Sequence, residues 1–333
     1  MTKHTLRSSH TVPADLDRVW RFFSSASNLG RITPRSMGFE IHTDDPSTAE
    51  GAIIDYTVRP MFGIPTRWQT QIDKVDAPHR FRDIQAKGPY KSWVHEHAFT
   101  EVQGGVRMED QVDYEMPFGP LGSLAHRAAV RAQLEYVFDF RSIAIDNIFE
   151  PAGDPGAAPP GTVAVAGGTG FVGGEIAREL RRRGRRVIVL SSQGDGARGQ
   201  LPDDIEIRRA DVRDPVTLDT ALAGVDELVI SLAFPGLPVE QPKKGFTFME
   251  VDAGGTQALV AAGQRTGVGR VVYLSGAGAG HDAERHWFRA KAVAEDAIRA
   301  SGMAWTILRP TWIYGPGDVS LKTRDTDAHI GRV

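Results

Sequence analysis

Apolar positions along this chain change period once, near the middle. In the first half, Leu16, Val19, Trp20 and Phe23 recur at helical spacing and predict a short amphipathic helix near the start. From about residue 52 to residue 116 apolar and polar positions alternate, as in residues 53–58 and 67–72, which predicts strands. Turn signals separate them at Ala77-Pro78, Lys87-Gly88-Pro89 and Gln103-Gly104-Gly105. Residues 121–149 contain no proline and no glycine after Gly122, and Leu124, Ala128, Arg131, Leu134, Val137, Phe138, Arg141 and Ile145 predict a long amphipathic helix. A short helix, antiparallel strands and a long closing helix make an α+β layer arrangement.

In the second half, short apolar runs at residues 162–166, 186–190, 205–209, 227–231, 271–275 and 305–309 read as buried strands. Helical stretches at 175–183, 217–222, 255–266 and 290–300 intervene. That order specifies an α/β domain: a six-stranded parallel sheet with helices on both faces. The segment from Pro151 to Gly161 is almost wholly Pro, Gly and Ala and reads as a semi-rigid spacer. The expected division is therefore 1–150, a linker at 151–161, and 162–333.

Composition narrows the function more than the fold. With 333 residues, 41% hydrophobic and 24% charged, both halves can bury a core. A net charge of −3 gives no electrostatic argument for nucleic acid or anionic lipid. The basic run from Arg181 to Arg186 reads as a solvated helix end with Gly184 as its cap. There is no cysteine, which excludes disulfides, thiolate metal sites and a Cys nucleophile. No apolar stretch approaches the roughly 20 residues of a membrane span. Residues 1–10 lack the apolar core of a signal peptide, so a cytoplasmic location is expected.

The first predicted strand of the second half runs into Gly167-Gly168-Thr169-Gly170-Phe171-Val172-Gly173 and then a helix. Glycines at 167, 170 and 173 meet the needs of a tight strand-to-helix turn, close approach to a pyrophosphate and close helix–strand packing. The helix N-terminus supplies N–H groups and partial positive charge. These seven residues are the candidate dinucleotide site. The second strand ends at Ser191-Ser192, with no carboxylate to bind a ribose hydroxyl. With Arg198 nearby, the two serines favour NADP(H) over NAD(H). Asp211-Val212 follows the third strand, where an adenine contact falls, although Asp211 can equally be the N-cap of the next helix. Ala233, after the fourth strand, is placed beside the cofactor.

Residues 162 to about 318 resemble the extended or atypical short-chain dehydrogenase/reductases, NmrA-like proteins among them. The resemblance rests on the Gly167–Gly173 motif, Asp211-Val212, Val251-Asp252-Ala253-Gly254-Gly255-Thr256, Val272-Tyr273-Leu274-Ser275-Gly276 and the segment from Leu308 to Pro316. It implies a Ser and a Tyr-x-x-x-Lys pair for chemistry. Ser275 matches the Ser, Lys291 matches the Lys and binds the nicotinamide ribose, and Trp287 stands at the Tyr position. An indole N–H is a donor only, so the usual proton relay is missing. His286 reads as a surface residue, and Tyr273 and Tyr314 as packing residues. After Gly317 the sequence is polar and lacks a strand pattern, whereas the family continues into a substrate lobe. The domain is read as C-terminally truncated, which implies an apolar sheet edge and self-association through it.

Residues 1–150 resemble the helix-grip, START-like (SRPBCC) superfamily of polyketide cyclases and lipid carriers. The order of elements carries this resemblance, together with Pro117-Phe118-Gly119-Pro120-Leu121-Gly122, similar to a subgroup fused to dehydrogenase-like domains. It implies a hydrophobic ligand between sheet and helix. Trp93, His95, His97 and Phe99 alternate, share one face of a strand and are the candidate cavity wall. Two histidines at i, i+2 also suit a metal, but no third ligand stands at diagnostic spacing, so no metal is expected. Two functional expectations follow: an NADP(H)-linked oxidoreductase acting on a hydrophobic molecule held by the first domain, or a non-catalytic sensor of cofactor and lipid. A cyclase activity of the first domain has no legible acid/base constellation in its support.

Overall fold

A computed structural model describes residues 3–44, 46–59, 64–117, 130–232 and 239–315. The chain divides into two compact units, 1–150 and 151–333.

Among the described residues the first unit is a seven-stranded antiparallel sheet with two α-helices. Its strands are β1 (Lys3–Val12), β2 (Glu40–Ile41), β3 (Ile53–Val58), β4 (Thr66–Asp76), β5 (Arg80–Lys87), β6 (Ser92–Val102) and β7 (Gly105–Glu115). They lie in the order β1-β7-β6-β5-β4-β3-β2. Helix α1 (Leu16–Phe23) starts where the Asp15 carboxylate accepts the Arg18 N–H at 2.7 Å, and it buries Leu16, Val19, Phe22 and Phe23. Helix α2 (Arg131–Phe149) buries Phe138, Ala144, Ile145, Ile148 and Phe149, and among them the guanidinium-bearing Arg141. Leu124, Ala128 and most of the Pro117–Gly122 motif lie outside the described residues. Alternation decides which side chains reach the interior: on β6 it is His95, His97 and Phe99, and on β7 Val106, Met108, Asp110, Val112 and Tyr114.

The second unit is a Rossmann-like parallel sheet. Strands β8 (Thr162–Ala166), β9 (Arg186–Ser191), β10 (Glu206–Arg209), β11 (Glu227–Ile230), β12 (Arg270–Leu274) and β13 (Ala304–Leu308) lie in the order β10-β9-β8-β11-β12-β13. Among the described residues its α-helices are α3 (Phe171–Arg182), α4 (Val216–Ala221), α5 (Gly255–Thr266) and α6 (His286–Arg299). Alternate residues of β8 and β9 feed two cores. Ala164, Ala166, Ile188 and Leu190 pack with Leu218, Leu259 and Ile298 of α4, α5 and α6. Val163, Val165, Val187 and Val189 pack with Ala177 of α3. Strands buried on both faces have continuous apolar runs, which is why they are legible in the sequence.

Two helices begin earlier than their apolar spacing indicates. Helix α3 starts at Phe171 because Gly173 and Gly174, poor helix formers, are buried in its first turns against the backbone of residues 167 and 168. Helix α6 starts at His286. A π-helical stretch, Phe248–Gly254, runs into α5 and turns Asp252 inward, with no signal in the apolar pattern. The basic run departs from expectation at Arg181, which is buried and pairs with Asp204 at 2.9 Å, while Gly184 has the positive φ (75°) of a helix-ending glycine. Among the described strands β13 lies at one end of the sheet, and Trp305 and Leu308 on it are about half exposed. Tyr273 is fully buried, whereas Tyr314 is 70% exposed and so packs little.

Candidate functional sites

A cavity of about 200 Å³ lies between the sheet of the first unit and α2. Trp68, Tyr90, Trp93, Phe138 and Leu134 form an apolar wall, and the rings of Trp93 and Tyr90 sit 4.9 Å apart. Trp93, His95 and His97 line this cavity. Phe99 does not: it is 1% exposed and packs among Trp20, Phe23 and Phe81 in the core beneath α1. The strand's inward face outruns the cavity, so its last inward residue meets a helix instead.

The polar end of the cavity is richer than the sequence indicates. Antiparallel register places Asp83 of β5 beside His95, and Asp110 of β7 beside His97. His97 Nε2 lies 3.2 Å from Asp83 Oδ2, and His97 Nδ1 lies 2.7 Å from Asp110 Oδ1. His95 Nε2 lies 3.0 Å from the same Asp110 oxygen, and its Nδ1 3.7 Å from Asp83 Oδ2. Arg141 Nη2 approaches Asp110 at 3.5 Å. Burial costs the Asp110 carboxylate, but Arg141 and His97 outweigh it and hold its pKa well below the usual range. For His97 burial opposes protonation, and Asp110 and Asp83 overcome it, so its pKa is raised. His95, equally buried and beside a charged His97, is shifted down. Spacing along β6 cannot reveal this cluster, because its carboxylates come from neighbouring strands.

The second unit's loop is shaped for a phosphate. Gly167 has φ 79°, and a Cβ there would overlap the Ser231 carbonyl. A Cβ on Gly168 would meet Val189 at 2.8 Å, and one on Gly173 would overlap Gly167. Gly170 differs: as N-cap of α3 it has φ −83°, no side chain caps the helix, and a Cβ there would meet only the Gly167 carbonyl, at 3.1 Å. Gly167 and Gly173 are therefore required by the protein's own packing, whereas Gly170 leaves an open cradle in front of backbone N–H groups. The residues fit a dinucleotide's pyrophosphate. Thr169, Phe171 and Val172 complete the same loop and first turn.

At the end of β9 Ser191 is buried and Ser192 exposed. The Ser191 hydroxyl accepts the Gln193 N–H at 3.2 Å. Arg198 is committed elsewhere, donating to the Pro202 and Ile205 carbonyls and pairing with Asp195. Arg209, whose Cα pairs in register with Ser191, is instead exposed and forms no ion pair among the described residues. It is a cation beside Ser191 that spacing along the sequence does not reveal. Asp211 does not cap α4, whose N-cap is Pro215; its carboxylate holds Arg213 at 2.7 Å and the Arg213 N–H at 3.0 Å. Val212 touches Gly255 at the start of α5. Ala233 lies outside the described residues.

Ser275, Trp287 and Lys291 lie on neighbouring elements, and the polar ends of Ser275 and Lys291 are engaged. Ser275 is buried and donates to Glu295 Oε1 at 2.5 Å. Arg309 and Arg299 also donate to Glu295, at 2.8 and 2.6 Å. Burial alone would raise the Glu295 pKa; Arg309, Ser275 and Arg299 bring it down to about 2. Ser275 is thus a strut between β12 and α6, not a free hydroxyl. Lys291 is buried, donates to the Leu274 carbonyl at 3.1 Å and pairs with Asp252 at 2.9 Å. The Trp287 ring, one turn earlier, packs on Phe288 at 4.5 Å and borders Gly276. His286 is 67% exposed, with Nδ1 3.6 Å from Glu240.

Comparisons with known proteins match the two units separately. Residues 3–140 match the family described as polyketide cyclase/dehydrase and lipid transport, and residues 167–331 match the family described as NAD(P)H-binding. A ceramide reductase of Caulobacter vibrioides is 32% identical over 158 residues, 47% of this chain and 48% of the relative. A 2-alkyl-3-oxoalkanoate reductase of Stenotrophomonas maltophilia is 29% identical over 187 residues, covering 49% and 54%. The chain thus spans about half the length of these curated relatives. A nucleoside-diphosphate sugar epimerase structure from Corynebacterium glutamicum aligns over 91% of this chain and 65% of its own, with a TM-score of 0.50 and 19% identity, a likeness of fold. Among the described residues no helix is long and apolar enough to cross a membrane.

Proposed function

We propose that this chain, a polyketide cyclase/dehydrase-type domain followed by an NAD(P)H-binding domain of the reductase/epimerase-like family, works as a two-site binding protein. It takes NADP(H) on the second domain and an apolar, oxygen-bearing small molecule in the cavity of the first. The open cradle at Gly170 carries the cofactor half of the reading. Residues 167–173 hold the pyrophosphate, and Ser191, Ser192 and Arg209 receive the adenosine ribose and its 2′-phosphate. Asp211 and Val212 border the adenine, and Lys291 stands at the nicotinamide end. The aromatic wall of Tyr90, Trp93 and Phe138 supports the ligand half. Ceramide and 2-alkyl-3-oxoalkanoates, named for the reductases above, are molecules of that apolar, oxygenated kind.

A bound nicotinamide supplies or accepts hydride. The protein's part in such chemistry would be to move a proton at the substrate oxygen, and here the matching groups are engaged: Ser275 on Glu295, Lys291 on Asp252, and an indole at position 287. This favours sensing of the cofactor over its consumption. A catalytic reading is favoured by one observation, that the two curated relatives named above are reductases. The deciding experiment follows NADPH absorbance with purified protein across a panel of long-chain ketones and aldehydes. Saturable NADPH binding without consumption is the expected result. Consumption that depends on enzyme and carbonyl would replace the sensor with a reductase.

A further inference from the structure

The buried histidines of the first unit present their nitrogens in two sets. His95 Nε2 and His97 Nδ1 both face Asp110, at 3.0 and 2.7 Å, and Arg141 Nη2 lies 3.4 Å from His97 Nδ1. The opposite nitrogens, His95 Nδ1 and His97 Nε2, face Asp83 Oδ2, at 3.7 and 3.2 Å. One ligand atom from each of Asp83, His95 and His97 lies within 4.8 Å of the others. Ligands about 2.0–2.2 Å from a tetrahedral ion stand about 3.3–3.5 Å apart, so little movement is needed to close the site on a cation.

We propose that Asp83, His95 and His97 bind a divalent first-row transition-metal ion, with Asp110 and Arg141 as the supporting layer. Three features beyond distance argue for it. Each imidazole has its non-ligating nitrogen on a carboxylate, the arrangement that fixes tautomer and ring orientation in metal-bound histidines. That carboxylate is itself anchored by Arg141. Two formal carboxylate charges, Asp83 and Asp110, face one guanidinium, so a further positive charge suits the site. Imidazole nitrogens select against magnesium and calcium and for zinc, iron(II) or cobalt(II). Three protein ligands leave coordination positions open, and all three side chains line the apolar cavity. A carbonyl or hydroxyl oxygen of the cavity ligand, or water, completes the shell, so the ion polarises that oxygen.

The test is titration of the chelator-treated full-length chain with cobalt(II) alone, reading the ligand-field bands. One equivalent is expected to bind, with His97→Gln and His95→Gln each abolishing the bands while near-ultraviolet circular dichroism stays unchanged. Asp110→Asn is expected to weaken binding about 10–100-fold without abolishing it. Absence of saturable one-to-one binding by the wild-type chain would overturn the proposal, as would equal binding by the doubly substituted His95→Gln/His97→Gln chain.

Discussion

Substitution of Gly170 by Ala separates a glycine kept for a ligand from one kept for the fold. At φ −83° and ψ 178° the backbone is open to any residue, and the new methyl would meet only the Gly167 carbonyl, at 3.1 Å. The stability cost is that of a poorer N-cap, about 1 kcal/mol, or roughly 2–4 °C in the unfolding midpoint of a domain of this size. The same methyl occupies the cradle where a phosphate would approach the α3 N–H groups. Displacing the phosphate from even one charge-assisted hydrogen bond removes about 1.5–3 kcal/mol, a loss of roughly 10–150-fold in affinity. Calorimetric titration with NADPH, paired with thermal unfolding, reads both numbers. Gly167→Ala is the contrast: its φ of 79° costs an L-residue about 1–2 kcal/mol before the overlap with Ser231 is counted, so it is expected to destabilise the domain itself. Gly170→Ala binding NADPH within twofold of wild type would refute the assignment of the cradle.

Arg209→Ala is expected to weaken NADPH about tenfold and leave NADH unchanged, measured by the same titrations; equal losses would remove Arg209 from the 2′-phosphate. Glu295→Gln is expected to cost about 2 kcal/mol in chemical denaturation at pH 7, less than the roughly 3 kcal/mol its shift implies because Arg299 and Arg309 are nearly half exposed. A carboxylate depressed to about 2 stabilises above its ordinary 4.5 and loses that contribution as pH falls from 4.5 toward 2, so wild type and Glu295→Gln should converge there. A constant gap down to pH 2 would contradict this. Trp287→Tyr is expected to show no NADPH consumption with long-chain ketones, because Ser275 stays on Glu295 and Lys291 on Asp252. Turnover by that variant would mean that these buried pairs open on binding.

Most of the second unit is legible in the sequence because strands such as Thr162–Ala166 and Arg186–Ser191 are buried on both faces and carry unbroken apolar runs. The loop from Gly167 to Gly173 is legible for a related reason: its backbone geometry admits no other residue at 167 and 173. Departures occur where tertiary contacts override local preference. Gly173 and Gly174 hide the start of α3, and Ser275 has the residue type of a catalytic group but the surroundings of a strut. Phe99 follows the alternation of Trp93, His95 and His97 yet belongs to the core under α1. Arg198 is near Ser191 in sequence and spent on a loop, whereas Arg209 reaches the same place through strand register. The polar cluster around His97 draws on three strands and a helix, so no single stretch of sequence contains it.

The cofactor half of the account stands on calorimetric titration of the intact wild-type chain with NADPH and then NADH. Saturation at one equivalent, with NADPH at least about tenfold tighter, is the predicted result. Absence of binding to either nucleotide would contradict the site at Gly170, and equal affinity for the two would contradict the role given to Ser191, Ser192 and Arg209.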